Sequence, residues 1–340
     1  MPEQRSEHRR RPQKHSSDRK LDHLLDLLVE NATVVLSGTK LASELHISVS
    51  TLWEWIKRLR SLGISIRGVR GSGYRLLRIP DVPTPRSIHQ QLPSSLFTSH
   101  IHHFYSTSST MNEAARLAAA DASEGTLIVA EQQSAGRGRL GHHWESEAAS
   151  GLYFTLILRP AIRPAAAPVL TLLAGVAVAE AIWETTRLAV DIRWPNDILI
   201  DDEKCAGILV EMTAEPERVA HILVGVGINV HQRKFPAGME TEPTSLRLKA
   251  RRSHSRIKVL VSVLKRLEHY YNLFCQQGPA VILSRFTSIS SYATDRKVRV
   301  TDGATMLTGT TAGLTPEGIL LVRRDSGEME RVLSGHVRPL

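Results

Sequence analysis

The stretch Gln132–Trp144, with the sequence QQSAGRGRLGHHW, organises the rest of the chain. Its three glycines remove Cβ atoms from the backbone, and between them Arg137 and Arg139 carry two permanent positive charges. It directly follows an apolar run, Leu127–Ala130, that is typical of a strand. Main-chain N–H groups and guanidinium forks are good anion ligands, so the stretch predicts a loop that folds over an anion. Taken alone, it is also compatible with a solvated turn or an RNA-binding Arg-Gly tract.

Three further motifs follow it in the chain: Arg193–Asp197 (RWPND), Lys204–Glu211 (KCAGILVE) and Gly225–Val230 (GVGINV). Together with GRGRLGxxW they resemble the motifs of biotin protein ligases, in the family's order and spacing. The resemblance covers roughly residues 21–340. It implies an α+β fold: a central catalytic mixed β-sheet flanked by helices, an N-terminal winged helix-turn-helix and a C-terminal SH3-like β-barrel.

The same resemblance implies the residues of the site. It gives Arg137, Arg139, Lys204 and Asp197 catalytic roles, with Asp197 either orienting or deprotonating an incoming lysine. The biotin-binding residues would be Ser109, Thr110, Met111, Gln133, Arg137, Gly138, Arg139 and Lys204. The adenylate would be bound by Gly136, Gly141, Trp144 and Asn229. Met111 stands where the family commonly has Asn, and His142 and His143 stand where basic residues are frequent.

The chemistry implied by this resemblance is adenylation. A carboxylic acid such as biotin does not react with amines at neutral pH, so ATP must first convert it to biotinyl-5′-AMP. The acceptor would be a lysine of a biotin carboxyl carrier protein. Mg²⁺ would arrive with ATP, and the sequence indicates no protein ligand for it. A lipoate–protein ligase of the same catalytic fold, or a regulator that senses biotin without ligating it, is the alternative.

Composition and periodicity divide the chain into five segments. Residues 1–20 are basic and almost without apolar side chains, which predicts a disordered tail. Residues 21–78 show short amphipathic helices and a glycine-centred hairpin, the pattern of a winged helix-turn-helix. A proline-rich linker is predicted at 79–88, the catalytic domain at 89–289, and the small β-domain at 290–340.

The N-terminal quarter carries most of the positive charge. The formal net charge is +9, and residues 1–80 contain 15 Lys and Arg against 8 Asp and Glu. This excess favours a polyanion partner, so operator DNA is a second predicted partner. The candidate DNA contacts are Lys57, Arg58, Arg60 and Arg75. The third helix has an apolar face that begins at Val49, and it also carries Glu54 and Trp55, which weaken binding if they face phosphates.

Several features predict a cytoplasmic protein without a membrane partner. The N-terminus has no apolar signal region, and the densest apolar run, residues 169–182, is predicted to be a buried helix. Two cysteines, Cys205 and Cys275, form no disulfide framework, which fits a reducing compartment. By resemblance, a homodimer is expected in the adenylate-bound form.

Overall fold

The structure is a computed structural model that describes residues 11–239, 241–303 and 305–340, with side chains from residue 17 onward. Its N-terminal part contains the helices α1 (Arg11–Glu30), α2 (Gly38–Glu44) and α3 (Val49–Ser61), and the hairpin strands β1 (Ile66–Val69) and β2 (Gly73–Leu76). Ser37 and Ser48 accept hydrogen bonds from the backbone N–H groups of Lys40 and Thr51, so they cap α2 and α3, respectively. The predicted winged helix-turn-helix is confirmed.

Two predicted boundaries are wrong. Helix α1 begins at Arg11, so residues 11–20 are not a disordered tail; residues 1–10 of that prediction lie outside the described residues. The end of the predicted linker 79–88 is also helical, because α4 spans Pro85–Gln91 and Thr84 caps it by accepting from the Ser87 N–H. Proline at the first position of a helix needs no hydrogen-bond donor, so a proline-rich run can start a helix.

The predicted faces of α3 also need correction. Val49 is 53% exposed rather than part of the apolar face, because that face is formed by Leu52, Ile56 and Leu59. The Trp55 ring packs partly buried against the core of the N-terminal domain. It therefore does not stand against DNA phosphates. The exposed indole of the helix belongs to Trp53.

A buried ionic network joins the N-terminal domain to the catalytic domain. Asp18 in α1 is fully buried; it pairs with Arg58 of α3 at 3.0 Å and accepts a 3.3 Å hydrogen bond from the Tyr105 N–H. The Arg58 guanidinium also lies over the Tyr105 ring, 5.3 Å from its centroid. Arg58 was a candidate DNA contact, but the structure uses it at this interface.

One turn further along α1, Asp22 contacts His103 Nδ1 at 2.8 Å. His103 Nε2 lies 3.9 Å from Glu131, and Glu131 pairs with Arg256 at 2.9 Å. Burial alone would lower the pKa of His103, but the Asp22 and Glu131 carboxylates raise it to about 10. The imidazole is therefore charged at neutral pH, and it links the two domains through opposite charges.

The catalytic domain is built on a seven-stranded mixed sheet with the order β3-β4-β5-β9-β8-β7-β6. Only β3 and β4 are parallel; the other neighbours are antiparallel. Its strands are β3 (Ile101–Phe104), β4 (Leu127–Ala130), β5 (Gly151–Leu158), β6 (Asp191–Arg193), β7 (Asp197–Ile200), β8 (Glu203–Ala214) and β9 (Val219–Asn229). Its remaining helices are α5 (Thr110–Ala119), α6 (Val169–Thr186), α7 (Leu246–Ala250), α8 (Arg256–Gln277) and α9 (Ala280–Ile289).

Helices cover both faces of this sheet. α6 and α8 belong to the main apolar core, while the buried side chains of α5, such as Met111 and Ala114, form a smaller core on the other face. The segment Pro164–Thr186 is long and apolar enough to cross a membrane by length and composition. Here it is largely buried, with apolar side chains all round, as expected for the central helix of a packed core.

The C-terminal domain is a five-stranded antiparallel sheet with the order β13-β12-β11-β10-β14. Its strands are β10 (Thr294–Asp302), β11 (Thr305–Leu314), β12 (Leu320–Arg323), β13 (Met329–Val332) and β14 (His336–Pro339). The last strand was not predicted. It pairs with β10, and this pairing carries residues 335–338 to the edge of a large cavity in the catalytic domain.

Candidate active site

The floor of the site is a patch of glycine backbone on β8 and β9. Gly207 and Gly227 are paired across the two strands, and the Trp144 ring lies directly on them. A Cβ atom at Gly227 would stand 2.5 Å from the ring, and one at Gly207 would stand 3.0 Å from it. The absence of side chains is therefore what allows the indole to lie against the sheet. Lys204 Nζ lies 5.6 Å from the centroid of the same ring.

Polar groups gather at the start of α5. Gln133 Oε1 accepts hydrogen bonds from the Thr110 N–H at 2.8 Å and the Thr110 hydroxyl at 3.1 Å, and its Nε2 donates to Ser146 Oγ at 2.9 Å. Ser109 stands at the N-cap position of α5, but its side chain makes no cap bond. Its hydroxyl is buried and has no hydrogen-bond partner among the described residues. A buried, unpaired hydroxyl is costly, which favours a ligand partner at this point.

A charged cluster lies at the turn between β6 and β7. Asp197 accepts from Lys204 Nζ at 2.6 Å through one carboxylate oxygen and from Arg193 Nη2 at 2.6 Å through the other. Arg193 also donates to the Thr241 hydroxyl at 2.7 Å. Burial alone would raise the pKa of Asp197, but Lys204 and Arg193 lower it to about 2. The carboxylate is therefore ionised and weakly basic.

The two loop arginines reach different ends of the site. Arg139 donates to Asn196 Oδ1 at 2.9 Å, next to the Asp197–Lys204 pair, and burial lowers its pKa. Arg137 instead pairs with Glu211 through both carboxylate oxygens and donates to Asn112 Oδ1 at 3.2 Å. The two arginines therefore have different partners, Asn196 for Arg139 and Glu211 with Asn112 for Arg137.

Two adjoining cavities meet at Lys204. The small pocket, about 50 Å³, is enclosed by the polar residues at the start of α5, by the Arg/Gly loop and by the glycine floor. The large cavity, about 670 Å³, extends from the Trp144 side to the C-terminal domain. Asn229 lines the large cavity, and its Nδ2 donates to the Thr244 carbonyl at 3.0 Å. Within the described ranges, no group of three or more His, Cys, Asp or Glu side chains is placed to hold a metal ion.

Three family models match this chain. Residues 103–229 match the biotin/lipoate A/B protein ligase family, residues 20–75 an HTH domain, and residues 295–337 the biotin protein ligase C-terminal domain. The bifunctional ligase/repressor BirA of Bacillus subtilis is 36% identical over 307 residues, which cover 89% of this chain and 94% of the relative. The chain belongs to the biotin protein ligase family.

Other relatives agree with this assignment. BirA of Escherichia coli is 29% identical to this ligase over 289 residues, covering 85% of this chain and 88% of the relative. The solved biotin protein ligase from Aquifex aeolicus in complex with biotin and ATP superposes with a TM-score of 0.62 at 30% identity. The match covers 71% of this chain and all of that one.

The ligase brings together most of the residues predicted for its site. Ser109, Thr110, Met111, Gln133, Arg137, Gly138, Arg139, Trp144 and Lys204 all line the small pocket, and Asp197 and Asn229 line the large cavity. Gly136 lies against the Trp144 carbonyl and is packed within the loop. Gly141 has φ +81°, and a Cβ atom there would meet nothing within 4 Å, so it lies in an open turn and its part in adenylate binding stays a prediction.

The motifs did not identify several residues that complete the site. Arg139 bonds to Asn196, Gln133 to Ser146 and Asp197 to Arg193. Arg137 bonds to Asn112 and Glu211. The quoted motifs contain Asn196, Arg193 and Glu211, so the sequence could have indicated these three residues. Nothing in the sequence indicated Ser146 or Asn112.

Proposed function

We propose that the protein joins biotin to a lysine in two steps. An oxygen of the biotin carboxylate attacks the α-phosphorus of ATP, the bond to the β-phosphate oxygen breaks, and pyrophosphate leaves. The ε-amine of an acceptor lysine, in a biotin carboxyl carrier protein, then attacks the acyl carbon of biotinyl-5′-AMP. An amide forms, AMP leaves with the bonding electrons, and the amine loses a proton.

The proposed roles follow the two cavities. Biotin would occupy the small pocket, with its polar ring at Ser109, Thr110 and Gln133, and ATP would occupy the large cavity beside Trp144 and Asn229. Both reacting groups are anionic where they meet, so they need cations to approach each other. Charge-assisted contacts of this kind in a dry site typically contribute about 3 kcal/mol each to catalysis.

The observation that carries the proposal is the position of Lys204. It lines both cavities and pairs with Asp197. Arg139 donates to Asn196, the residue next to Asp197 in the chain. Asp197 already accepts from Lys204 and Arg193 and has a pKa of about 2, which supports an orienting role over deprotonation of the acceptor lysine. Mg²⁺ would arrive with the phosphates of ATP and neutralise part of their charge.

Biotin-dependent exchange of labelled pyrophosphate into ATP tests the first step. We expect exchange with biotin and none with lipoate, because lipoate lacks the ureido ring that Thr110 and Gln133 would bind. A carrier domain incubated with ATP and biotin, followed by a streptavidin blot, tests the second step. If exchange occurs without transfer, the protein adenylates biotin but does not use this carrier domain as its acceptor. If no exchange occurs, the result supports a regulator that senses biotin without ligating it.

We also propose that the protein is a DNA-binding repressor that acts as an adenylate-bound homodimer in the cytoplasm. The supporting observation is α3, whose Lys57 is exposed and lies over the exposed Trp53 ring, 5.3 Å from its centroid. Arg60 is also exposed on α3, while Arg75 is half-buried in β2 of the wing. Gel-shift titration of promoter DNA with and without biotinyl-5′-AMP tests this, and sedimentation measures the accompanying dimerisation.

A further inference from the structure

The Arg137 side chain connects three separate elements. It extends from the Arg/Gly loop, donates to Asn112 in α5 and pairs with both oxygens of Glu211 in β8. The loop also has its own internal hydrogen bonds, from the Gly138 N–H to the His142 carbonyl at 2.7 Å and from the Trp144 N–H to the Gly136 carbonyl at 2.9 Å. Arg137 thus anchors this turn by its side chain on the α5 side, in addition to the contacts of Gln133 with Thr110.

The geometry of β8 separates this anchor from the reacting groups. Side chains alternate along a strand, so Gly207, Leu209 and Glu211 share one face. Gly207 lies beside Lys204, because a Cβ there would stand 3.4 Å from Lys204 Nζ, whereas Glu211 is four residues further along. Four residues of strand span about 13 Å, so Glu211 lies beyond Leu209, the last residue of this face that lines the pocket, on the side away from Lys204.

The contacts between these two ends of the β8 face are apolar. Leu209 packs into the apolar core that contains Met111, and Gly225, opposite Leu209, lies against the Met111 side chain. The apolar middle of the small pocket therefore separates the Lys204 end from the Glu211 end. Arg139 serves the first end and Arg137 the second.

We infer that Glu211 and Asn112 position Arg137 as a clamp that closes the small pocket over biotin at the end remote from the reaction. This inference rests on the proposed function. Glu211 and Asn112 act only through Arg137, and their removal frees the loop to open. Only the part of the loop around Arg137 opens, which speeds biotin dissociation, because Arg139 stays bonded to Asn196 and Trp144 stays on the glycine floor.

The test compares Glu211→Gln with Glu215→Gln in the full-length protein. Glu215 is a matched control: it lies just beyond the end of β8, is exposed, and forms only a 3.9 Å pair with Arg218. The protein is loaded with radiolabelled biotin, chased with unlabelled biotin and sampled by rapid filtration. Because the Arg137–Glu211 pair is bidentate but partly exposed, we expect dissociation to be about 3- to 10-fold faster in Glu211→Gln. The KM for ATP in both variants stays within about two-fold of wild type, as expected if the nucleotide contacts are untouched.

A double-mutant cycle separates a clamp from a general structural effect. If Glu211 acts through Arg137, Glu211→Gln adds nothing to the dissociation rate of Arg137→Met. Asn112→Ala changes the rate in the same direction, by a smaller factor. Equal dissociation rates in Glu211→Gln and wild type, or additive effects in the double variant, would overturn the clamp. If the wild-type protein retains no biotin at all, the proposed function itself is wrong and the clamp is wrong with it.

Discussion

Replacing Gly227 by alanine tests the glycine floor beneath Trp144. The new Cβ would lie 2.5 Å from Cε2 of the indole, 2.7 Å from Nε1 and 2.8 Å from Cζ2. Carbon atoms in van der Waals contact are about 3.5 Å apart or more, so the ring must move by about 1 Å. Gly227 is in a strand and pairs regularly with Gly207 and Tyr153, so the backbone accepts alanine and only the indole is displaced.

The expected magnitude follows from overpacking. Forcing one extra methyl group into a packed contact costs about 1–3 kcal/mol, equivalent to about a 5- to 150-fold loss of affinity when the displaced group is part of the binding site. Trp144 lines both cavities and is the residue proposed to lie beside ATP, so the loss should include ATP binding. We expect the KM for ATP in pyrophosphate exchange to rise by that factor, and calorimetric titration with a non-hydrolysable ATP analogue to show the same loss.

Gly225→Ala is the matched control for this prediction. It lies two residues away on the same face of β9, but its Cβ would meet the Met111 sulfur at 2.6 Å instead of an aromatic ring. Methionine has several rotatable bonds and can move aside, so the cost is smaller and falls on biotin rather than on ATP. An unchanged KM for ATP in Gly227→Ala, or equal losses in both variants, would refute the assignment of Trp144 to nucleotide binding.

Four further predictions concern other parts of the molecule. Arg139→Ala should retain biotin binding but release biotinyl-5′-AMP into solution, detectable by mass spectrometry; normal retention would contradict its role. The raised pKa of His103, about 10, contributes stability that is fully present below its unfolded value of about 6.5 and is lost as pH rises toward 10. Calorimetry should therefore show a steeper fall in Tm over this pH range for wild type than for His103→Gln, and parallel curves would exclude the ionic link. Lys57→Ala should weaken DNA binding and reduce its salt dependence by about one unit of slope, with Tm unchanged. Arg58→Ala should lower Tm, because it leaves the buried Asp18 unpaired, and an unchanged Tm would refute this.

Local signals were sufficient for much of the fold. The short amphipathic helices and the hairpin of residues 21–78, the strand at Leu127–Ala130 and the buried helix at 169–182 each depend on neighbours in sequence, so they were predicted correctly. The motifs also led to Lys204, Asp197 and Arg139, which the structure places around the two cavities, because those residues stand within short patterns of glycine and charge.

Long-range contacts account for the errors. Arg58 looked like a phosphate contact because its partners, Asp18 and Tyr105, are 40 and 47 residues away in the sequence. Residues 11–20 looked disordered because their composition is polar, yet Asp18 binds groups from outside α1. Arg137 and Glu211 are 74 residues apart, so no local pattern could indicate that they meet.

The link between α3 and the catalytic domain has a consequence for the spacing of the DNA half-sites that the protein can recognise. Arg58 stacks on Tyr105 while Asp22 contacts His103, so the helix that reads DNA cannot tilt without breaking contacts inside the enzyme body. In a pair of such molecules joined through their catalytic domains, the distance between the two reading helices is fixed by that junction. Recognition sequences for this protein must then keep a constant centre-to-centre separation, since about five added base pairs would rotate one site to the far side of the duplex.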